Sequence, residues 1–284
     1  MSNFLRHMSL FQLVIIALVQ GLTEFLPISS SGHLLLVPAL THWPDQGIAI
    51  DVACHLGTLV AVLLYFYRDV WMMAHDVLRY PASRKATPGV KLFAFLIIGT
   101  IPAVALGWYI HHLNPDGIRD LKVVAWTMGI FAILLWIADS IGMKIKKTEH
   151  MNLAEAVLIG IGQAVALIPG VSRSGMTLTV ARFLGYERVE AARFSMLLGI
   201  PAILGAGALA VWEWMHTPGG ATLHEMLTAF ALSALFGLMA IAFLMQWLKK
   251  MDMKVFVFYR LALAALLLAW LYYGFNPLHL NGVG

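Results

Sequence analysis

The stretch that decides the fold is Pro27-Ile28-Ser29-Ser30-Ser31-Gly32-His33, which interrupts an apolar segment at roughly residues 9–40. A second stretch, Pro169-Gly170-Val171-Ser172-Arg173-Ser174-Gly175, interrupts the apolar segment at roughly 152–184. Proline, glycine and clustered serine break a helix, and lipid cannot satisfy the backbone groups that the break exposes. We therefore expect two re-entrant helix–loop–helix hairpins enclosed by protein; the alternative is a pair of ordinary kinked spans.

The composition of the chain is that of a membrane protein. Of its 284 residues, 60% are apolar and 12% are charged, and the mean hydropathy is +0.80, whereas about 25% of the residues of a soluble domain are charged. This balance argues against soluble enzymes, nucleic-acid-binding proteins and disordered chains. The net charge of +4 does not indicate nucleic acid, because basic residues of membrane proteins collect in cytoplasmic loops.

Six further segments are long and apolar enough to cross a bilayer as helices, since about 20 residues span its core. With the two hairpins, they predict an all-α polytopic membrane protein whose single integral membrane domain covers residues 1–284. The six predicted spans are roughly 48–67, 91–111, 121–141, 191–213, 224–247 and 254–274.

Basic residues divide unequally between the two sides that this arrangement defines. If both hairpins re-enter and the six spans cross, 14 of the 19 lysines and arginines lie on one side and three on the other. The positive-inside rule makes the richer side cytoplasmic, so both termini and the mouth of the first hairpin are expected outside. The 14 residues are Arg68, Arg79, Arg84, Lys85, Lys91, Lys144, Lys146, Lys147, Arg182, Arg188, Arg193, Lys249, Lys250 and Lys254.

The two halves of the chain resemble an inverted repeat. Residues 1–142 and 143–284 each hold one hairpin and three spans, and because three is odd, the second half is inverted relative to the first. Inverted repeats whose broken helices meet near the midplane are typical of transporters. The alignment has an offset of 143 residues and pairs Gln20 with Gln163, Ser29 with Ser172, Ser31 with Ser174 and Gly32 with Gly175, with Ser30 opposite Arg173.

Two ionisable residues within the interrupted segments point to a site, because charge in an apolar segment is costly. Glu24 lies four residues after Gln20, on the same helix face. Arg173 lies between two serines, and a buried arginine requires an anion. That anion is either Glu24, in a structural ion pair, or a phosphate held by the guanidinium, the hydroxyls and a helix N-terminus. We favour the phosphate.

Hydrolysis of a phosphate ester or anhydride would use these residue types. It needs an anion clamp, a nucleophile or activated water, a proton carrier and usually a metal ion. Arg173, Ser30, His33 and Glu24 offer the first three, although their spacing alone does not assign the roles.

Three other features have more modest interpretations. Arg260, after Tyr259 in the last predicted span, either snorkels to the cytoplasmic interface or has a functional role. His55 is either a support for the site or, more commonly, a satisfied core histidine. The polar segment 75–90 carries no motif and is interpreted as a solvated linker.

At the two interrupted stretches the sequence resembles the bacterial undecaprenyl-diphosphatases, the enzymes linked to bacitracin resistance. The residues from Gln20 to His33 match their (Glu/Gln)-x-x-x-Glu motif and the serine turn that follows it. The residues from Pro169 to Thr177 are similar to their PGxSRSG signature. The resemblance extends over essentially the whole chain, including Tyr259-Arg260.

This resemblance implies hydrolysis of undecaprenyl diphosphate to undecaprenyl phosphate and inorganic phosphate. The reaction recycles the lipid carrier for peptidoglycan and other cell-wall polymers at the outer, periplasmic face of the bacterial inner membrane. The implied nucleophile is Ser30, with His33 or Glu24 managing its proton and Arg173 binding phosphate; His33 or water as nucleophile stays open. The implied substrate-binding residues are Gln20, Ser29, Ser31, Ser172, Arg173, Ser174 and Thr177.

The resemblance also implies a divalent cation, Mg²⁺ or Ca²⁺, with Glu24 and Gln20 as its ligands. Gln20 stands where many members have glutamate, and an amide can coordinate a metal but cannot act as a base. The expected partners are undecaprenyl diphosphate and membrane lipids, without nucleic acid, and a homodimer is left open. The alternative function is a transporter or flippase of a lipid phosphate, which the repeat favours.

Overall fold

The computed structural model describes residues 8–41, 43–113, 120–142, 145–216 and 221–274. Within these ranges the chain forms eleven α-helices, one short 3-10 helix and no β-strand. The helices are α1 (Leu10–Phe25), α2 (Ser30–Thr41), α3 (Gly47–Tyr65), α4 (Tyr67–Ser83), α5 (Pro88–Leu113), α6 (Leu121–Ile141), α7 (Leu153–Val165), α8 (Arg173–Phe183), α9 (Arg188–His216), α10 (Leu223–Leu248) and α11 (Lys254–Tyr273).

Six of these helices are long and apolar enough to cross a membrane. They coincide with the six predicted spans to within a few residues, so that prediction is confirmed. The chain is a multi-pass integral membrane protein. The six candidate spans are Gly47–Tyr65, Pro88–Ile110, Leu121–Ile141, Arg188–Ala208, Leu223–Leu248 and Lys254–Tyr273.

The two interrupted stretches separate four shorter helices, as predicted. Pro27 follows the end of α1 and precedes α2, and residues 166–172 separate α7 from α8. The longest of the four, α1, has 16 residues. At 1.5 Å per residue it is shorter than the hydrocarbon core, which is about 30 Å thick. None of the four is therefore a full span by itself.

Helices α1 and α7 begin in the same way. Ser9 caps α1 in a capping box with Gln12, and Asn152 caps α7 in a capping box with Glu155. Such boxes satisfy backbone N–H groups that the first turn leaves free. The two capping residues, Ser9 and Asn152, are 143 positions apart. The offset that aligns the two serine turns therefore also aligns the starts of the helices that precede them.

Each half of the chain packs against the other. Helix α1 lies on α10, α7 lies on α5, and α3 packs against both α9 and α10. Glycine makes one of these contacts possible, since a Cβ at Gly160 of α7 would collide with the backbone carbonyl of Gly99 in α5. The largest buried apolar cluster, which includes Phe25, Leu135 and Leu197, fills the space between these helices.

The polar segment 75–90 is helical over much of its length, contrary to the prediction of a linker. Helix α4 continues to Ser83, with Met73 buried and Leu78 80% exposed. The Gly89 amide donates to the Asp76 carboxylate at 3.1 Å, which ties α4 to the start of α5. Charged and apolar residues alternate with a helical period in α4, so a search for continuous apolar spans does not detect it.

One of the predicted loop charges is buried. Arg182 lies in α8 with 0% exposure, and its Nε donates to Asp139 at 3.1 Å. Arg188 donates to the same carboxylate at 2.7 Å. The pairing with Asp139 explains the burial of Arg182. The number of basic loop residues that support the predicted orientation therefore falls by one. Arg6, Arg119, Lys144 and both chain ends, residues 1–7 and 275–284, lie outside the described residues.

Candidate active site

The two serine turns have the same local geometry. Ser29 and Ser172 adopt positive φ angles of 76° and 74°, a left-handed conformation that is uncommon for residues other than glycine. The Ser29 hydroxyl accepts from the Gly32 amide at 3.4 Å, and the Ser172 hydroxyl accepts from the Gly175 amide at 3.1 Å. Each serine therefore caps the helix that follows it, α2 or α8.

Arg260 of α11 joins the two turns from behind. It is fully buried, which rules out snorkelling to the interface. Its Nη1 donates to the Pro27 carbonyl at 3.4 Å, and its Nη2 donates to the Gly170 and Val171 carbonyls at 3.0 and 2.9 Å. A single guanidinium thus satisfies carbonyl groups of both helix breaks.

The carboxylate of Glu24 is the centre at which the predicted residues meet. Its Oε1 accepts from Arg173 Nη2 at 2.9 Å. Its Oε2 accepts from the Ser30 hydroxyl at 2.8 Å and from Gln20 Nε2 at 3.0 Å. Glu24 is only 6% exposed, so these bonds are shielded from water. In the structure, the anion that pairs with Arg173 is therefore Glu24, as one of the two alternatives from the sequence had it.

The Arg173 guanidinium has donors that Glu24 does not use. It carries five N–H groups, and its Nη1 is buried with no hydrogen-bond partner among the described residues. The guanidinium lies against Gly199 of α9, where a Cβ would collide with it. Gly199 is required for this position, and nothing in the sequence of α9 singled it out.

Ser30 and Glu24 have the geometry of a nucleophile and its base. A hydroxyl that donates to a carboxylate at 2.8 Å is within the range expected for proton transfer between them. Ser30 is also the first residue of α2, and Arg173 is the first residue of α8. Two helix N-termini therefore lie at the site, and their partial positive charge favours an anion.

His33 lies at the edge of this group. Its Nδ1 is 2.7 Å from the Ser29 carbonyl, and its Nε2 is 2.6 Å from the Tyr259 hydroxyl. In the described part of the chain, no hydrogen bond joins His33 to Ser30 or Glu24. The structure therefore brings Glu24, not His33, into contact with the Ser30 proton.

The other predicted phosphate-binding hydroxyls have partners within the protein. Ser31 is exposed and lies 3.4 Å from the Ser29 hydroxyl. Ser174 donates to the Leu26 carbonyl at 3.1 Å, and the Thr177 hydroxyl lies 2.6 Å from that of Ser195. Phosphate binding by these hydroxyls stays a prediction.

Tyr259 and Arg260 contribute to the site, although neither was assigned to it from the sequence. Tyr259 and Arg260 belong to the family resemblance, and an arginine in an apolar span is itself a functional signal. His55 Nε2 lies 3.9 Å from Glu24 Oε2, which places it beside the site. Gln163, the repeat partner of Gln20, is buried, and its amide atoms have no partner within the described ranges.

A divalent cation at this site would depend on Glu24 and Gln20 for its protein ligands. Gln20 Oε1 is buried without a partner in the described residues, and Glu24 supplies a carboxylate next to it. No group of three histidine, cysteine, aspartate or glutamate side chains that could hold a metal occurs in the part of the chain that the structure describes. Mg²⁺ commonly binds one or two carboxylates together with substrate phosphates and water. Cation binding by Glu24 and Gln20 stays a prediction, since the Glu24 oxygens already accept from Arg173, Ser30 and the Gln20 amide nitrogen.

Comparisons with known proteins identify the family of the chain. The family model for bacitracin resistance protein BacA matches residues 13–266. The chain is 45% identical over 266 residues to the undecaprenyl-diphosphatase of Ruegeria pomeroyi, covering 93% of this chain and 100% of the relative. It is 47% identical to that of Jannaschia sp. with the same coverage. It is 46% identical to undecaprenyl-diphosphatase 1 of Rhodospirillum rubrum, over 94% and 97% of the two chains. The chain belongs to the bacitracin resistance protein BacA family.

Proposed function

We propose that the protein is an undecaprenyl-diphosphate phosphatase, which hydrolyses undecaprenyl diphosphate to undecaprenyl phosphate and inorganic phosphate. In this role it recycles the lipid carrier of cell-wall polymers and confers resistance to bacitracin. The observation that carries the proposal is the Ser30 hydroxyl, hydrogen-bonded to the buried Glu24 carboxylate beside Arg173. The names of the curated relatives supply the lipid substrate.

Substrate binding falls to Arg173 and the two helix starts. The guanidinium presents planar donors that match phosphate oxygens, and the N-termini of α2 and α8 add their partial positive charge. Glu24 and Gln20 would hold the divalent cation, Mg²⁺ or Ca²⁺, which neutralises charge on a diphosphate when it is bound. These groups orient the terminal phosphorus toward Ser30.

The chemistry proceeds in two displacements. Ser30 Oγ attacks the terminal phosphorus, its proton passes to Glu24, and the bond from that phosphorus to the bridging oxygen breaks, releasing undecaprenyl phosphate. The carboxyl proton of Glu24 passes to the departing undecaprenyl phosphate. The ionised Glu24 then takes a proton from water, whose oxygen attacks the phosphoserine, and it returns that proton to Ser30 Oγ as inorganic phosphate leaves. Both ring nitrogens of His33 already have partners, which supports Ser30 over His33 as the nucleophile. A positioned acid–base group contributes about 10²–10⁴-fold to such a reaction.

The test of the activity uses the purified full chain in detergent with undecaprenyl diphosphate. We expect inorganic phosphate and undecaprenyl phosphate in equal amounts with Mg²⁺ or Ca²⁺, and loss of turnover with a chelator. Release of no phosphate by a folded sample supplied with the cation would contradict the proposal. Unchanged turnover in the chelator would contradict the cation alone.

We further propose that α1–α2 and α7–α8 are re-entrant hairpins in two inverted halves, residues 1–142 and 143–284, of a single membrane domain. The shared capping boxes and the matched φ angles of Ser29 and Ser172 support the repeat. The distribution of basic residues supports a bacterial inner-membrane protein with both termini outside and a site that opens to the periplasm.

Cysteine labelling tests this topology, with Cys54 replaced by alanine. We expect an impermeant maleimide to label Lys122→Cys in intact spheroplasts and to label Lys85→Cys only after lysis. The reverse pattern would overturn the proposed orientation, and labelling of both residues from one side would contradict the membrane crossing of α5, which separates them.

A transporter or flippase of a lipid phosphate is the second candidate. The observation that favours it is the pair of broken helices, since such helices meet at the binding sites of many secondary transporters. Reconstituted vesicles with labelled undecaprenyl phosphate in one leaflet separate the two functions. Movement of the lipid by Glu24→Gln protein that has lost hydrolysis would establish transport.

A further inference from the structure

We propose that Tyr259 is a positioning residue of the active site, which acts on the Ser30 turn through His33. The inference rests on the proposed function, in which Ser30 is the nucleophile. Tyr259 lies on α11, 226 residues from His33, and its hydroxyl is 2.6 Å from His33 Nε2. The two rings are nearly parallel, with 9° between their planes and 5.6 Å between their centroids.

The contacts of His33 determine its tautomer. A backbone carbonyl only accepts hydrogen bonds, so Nδ1, at 2.7 Å from the Ser29 carbonyl, must carry a proton. In the neutral ring Nε2 is then an acceptor, and the Tyr259 hydroxyl donates to it. If Nε2 gains a proton, the same hydroxyl oxygen accepts from it. Tyr259 therefore satisfies Nε2 in both protonation states of the ring.

The two hydrogen bonds form a continuous connection from α11 to the serine turn. It runs from the Tyr259 hydroxyl through the imidazole to the carbonyl of Ser29, which directly precedes Ser30. Ser29 has a positive φ of 76°, a conformation that persists only where its surroundings impose it. Arg260, the next residue of α11, holds the Pro27 carbonyl of the same turn. Adjacent residues of one helix thus restrain both ends of the turn that presents the nucleophile.

The substitution Tyr259→Phe removes only the hydroxyl, at a side chain that is 44% exposed. We expect kcat to fall about tenfold, the effect of one orienting hydrogen bond, with KM nearly unchanged because Arg173 is not touched. Tyr272→Phe is the matched control, because it removes a hydroxyl from the same helix. That hydroxyl lies 3.5 Å from Trp126 Nε1 and does not contact the site. Tyr272→Phe should leave kcat as it is.

A double-mutant cycle separates positioning through His33 from a general packing role. If Tyr259 acts through His33, Tyr259→Phe has no further effect on kcat in a His33→Ala background. The same tenfold loss in that background would overturn the proposal, since independent effects multiply. An unchanged kcat in Tyr259→Phe itself would also overturn it.

A measurement without substrate keeps the inference separate from the proposed function. Diethyl pyrocarbonate modifies unprotonated imidazole nitrogen, and mass spectrometry reports its reaction at His33. We expect His33 to react several-fold faster in Tyr259→Phe than in the unsubstituted protein or in Tyr272→Phe, because Nε2 loses its partner. Equal rates would overturn the contact. If the rate rises but no phosphate is released by any variant, the proposed function fails while the contact stands.

Discussion

Glu24 Oε1 and Arg173 Nη2 lie 2.9 Å apart, although 149 residues separate them in the chain. Each half of the protein thus contributes one charge to a partly buried pair, and the second carboxylate oxygen accepts a hydrogen bond from the Ser30 hydroxyl. The pairing also fixes the position of the Arg173 guanidinium, which we propose as the phosphate-binding group.

Replacement of Arg173 by lysine should weaken substrate use. Lysine keeps the charge but presents a point donor instead of a planar fork, and hydrogen bonds between charged groups are worth about 1.5–3 kcal/mol. We expect Arg173→Lys to lower kcat/KM by about 10–100-fold in the phosphate-release assay. Arg188→Lys, at the Asp139 pair, is the control and should retain activity. Equal kcat/KM in both variants would remove Arg173 from the site.

Loss of Arg260 should loosen both turns at once. Arg260→Leu leaves the carbonyls of Pro27, Gly170 and Val171 without their donor, and each unpaired buried group costs about 1–3 kcal/mol. We expect a lower unfolding temperature in detergent and faster hydrogen exchange at residues 29–33 and 171–175. Exchange that rises in only one turn would contradict the bridging role.

The positive φ of Ser172 predicts an order of stability among its substitutions. Ser172→Ala loses the cap on the Gly175 amide and keeps the backbone strain, so it should cost about 1 kcal/mol or more. Ser172→Gly loses the same cap but relieves the strain. We expect the glycine variant to unfold at a higher temperature than the alanine variant. The opposite order would show that the turn is not held in the left-handed conformation.

Close packing of α5 on α7 predicts a sharp contrast between two glycine substitutions. Gly160→Ala would force a methyl group into the Gly99 carbonyl, whereas a methyl at Gly205 of α9 meets nothing within 4 Å. We expect Gly160→Ala to lower the free energy of unfolding by about 1–3 kcal/mol. Gly205→Ala should be neutral or slightly stabilising, because alanine favours helix. Similar effects of the two substitutions would contradict the contact.

The main features of the fold were accessible from the sequence because the membrane restricts the choices. Six apolar segments of sufficient length predicted six spans, and the two breaks followed from proline, glycine and serine in otherwise apolar segments. Helix α4 was missed because its amphipathic pattern has no continuous apolar run. The burial of Arg182 was missed because its partner, Asp139, is 43 residues away and no local pattern connects them.

The site was predictable as a set of residues but not as an arrangement. The scarcity of charge identified Glu24 and Arg173, and the i, i+4 spacing placed Gln20 beside Glu24. The sequence could not decide which base contacts Ser30, because that depends on how α1 meets α2 after the break. The contacts of Tyr259, Arg260 and Gly199 arise from packing between distant helices, which spacing along the chain does not reveal.

The most direct measurement of the central claim is the rate of phosphate release from undecaprenyl diphosphate by Glu24→Gln protein. Glutamine preserves the size of the side chain and one acceptor oxygen, but it cannot take the Ser30 proton or balance the charge of Arg173. The predicted result is a loss in kcat of about 10²–10⁴-fold in a protein that remains folded, with Glu187→Gln, in the loop before α9, as the active control. Turnover by Glu24→Gln at the rate of that control would contradict the account.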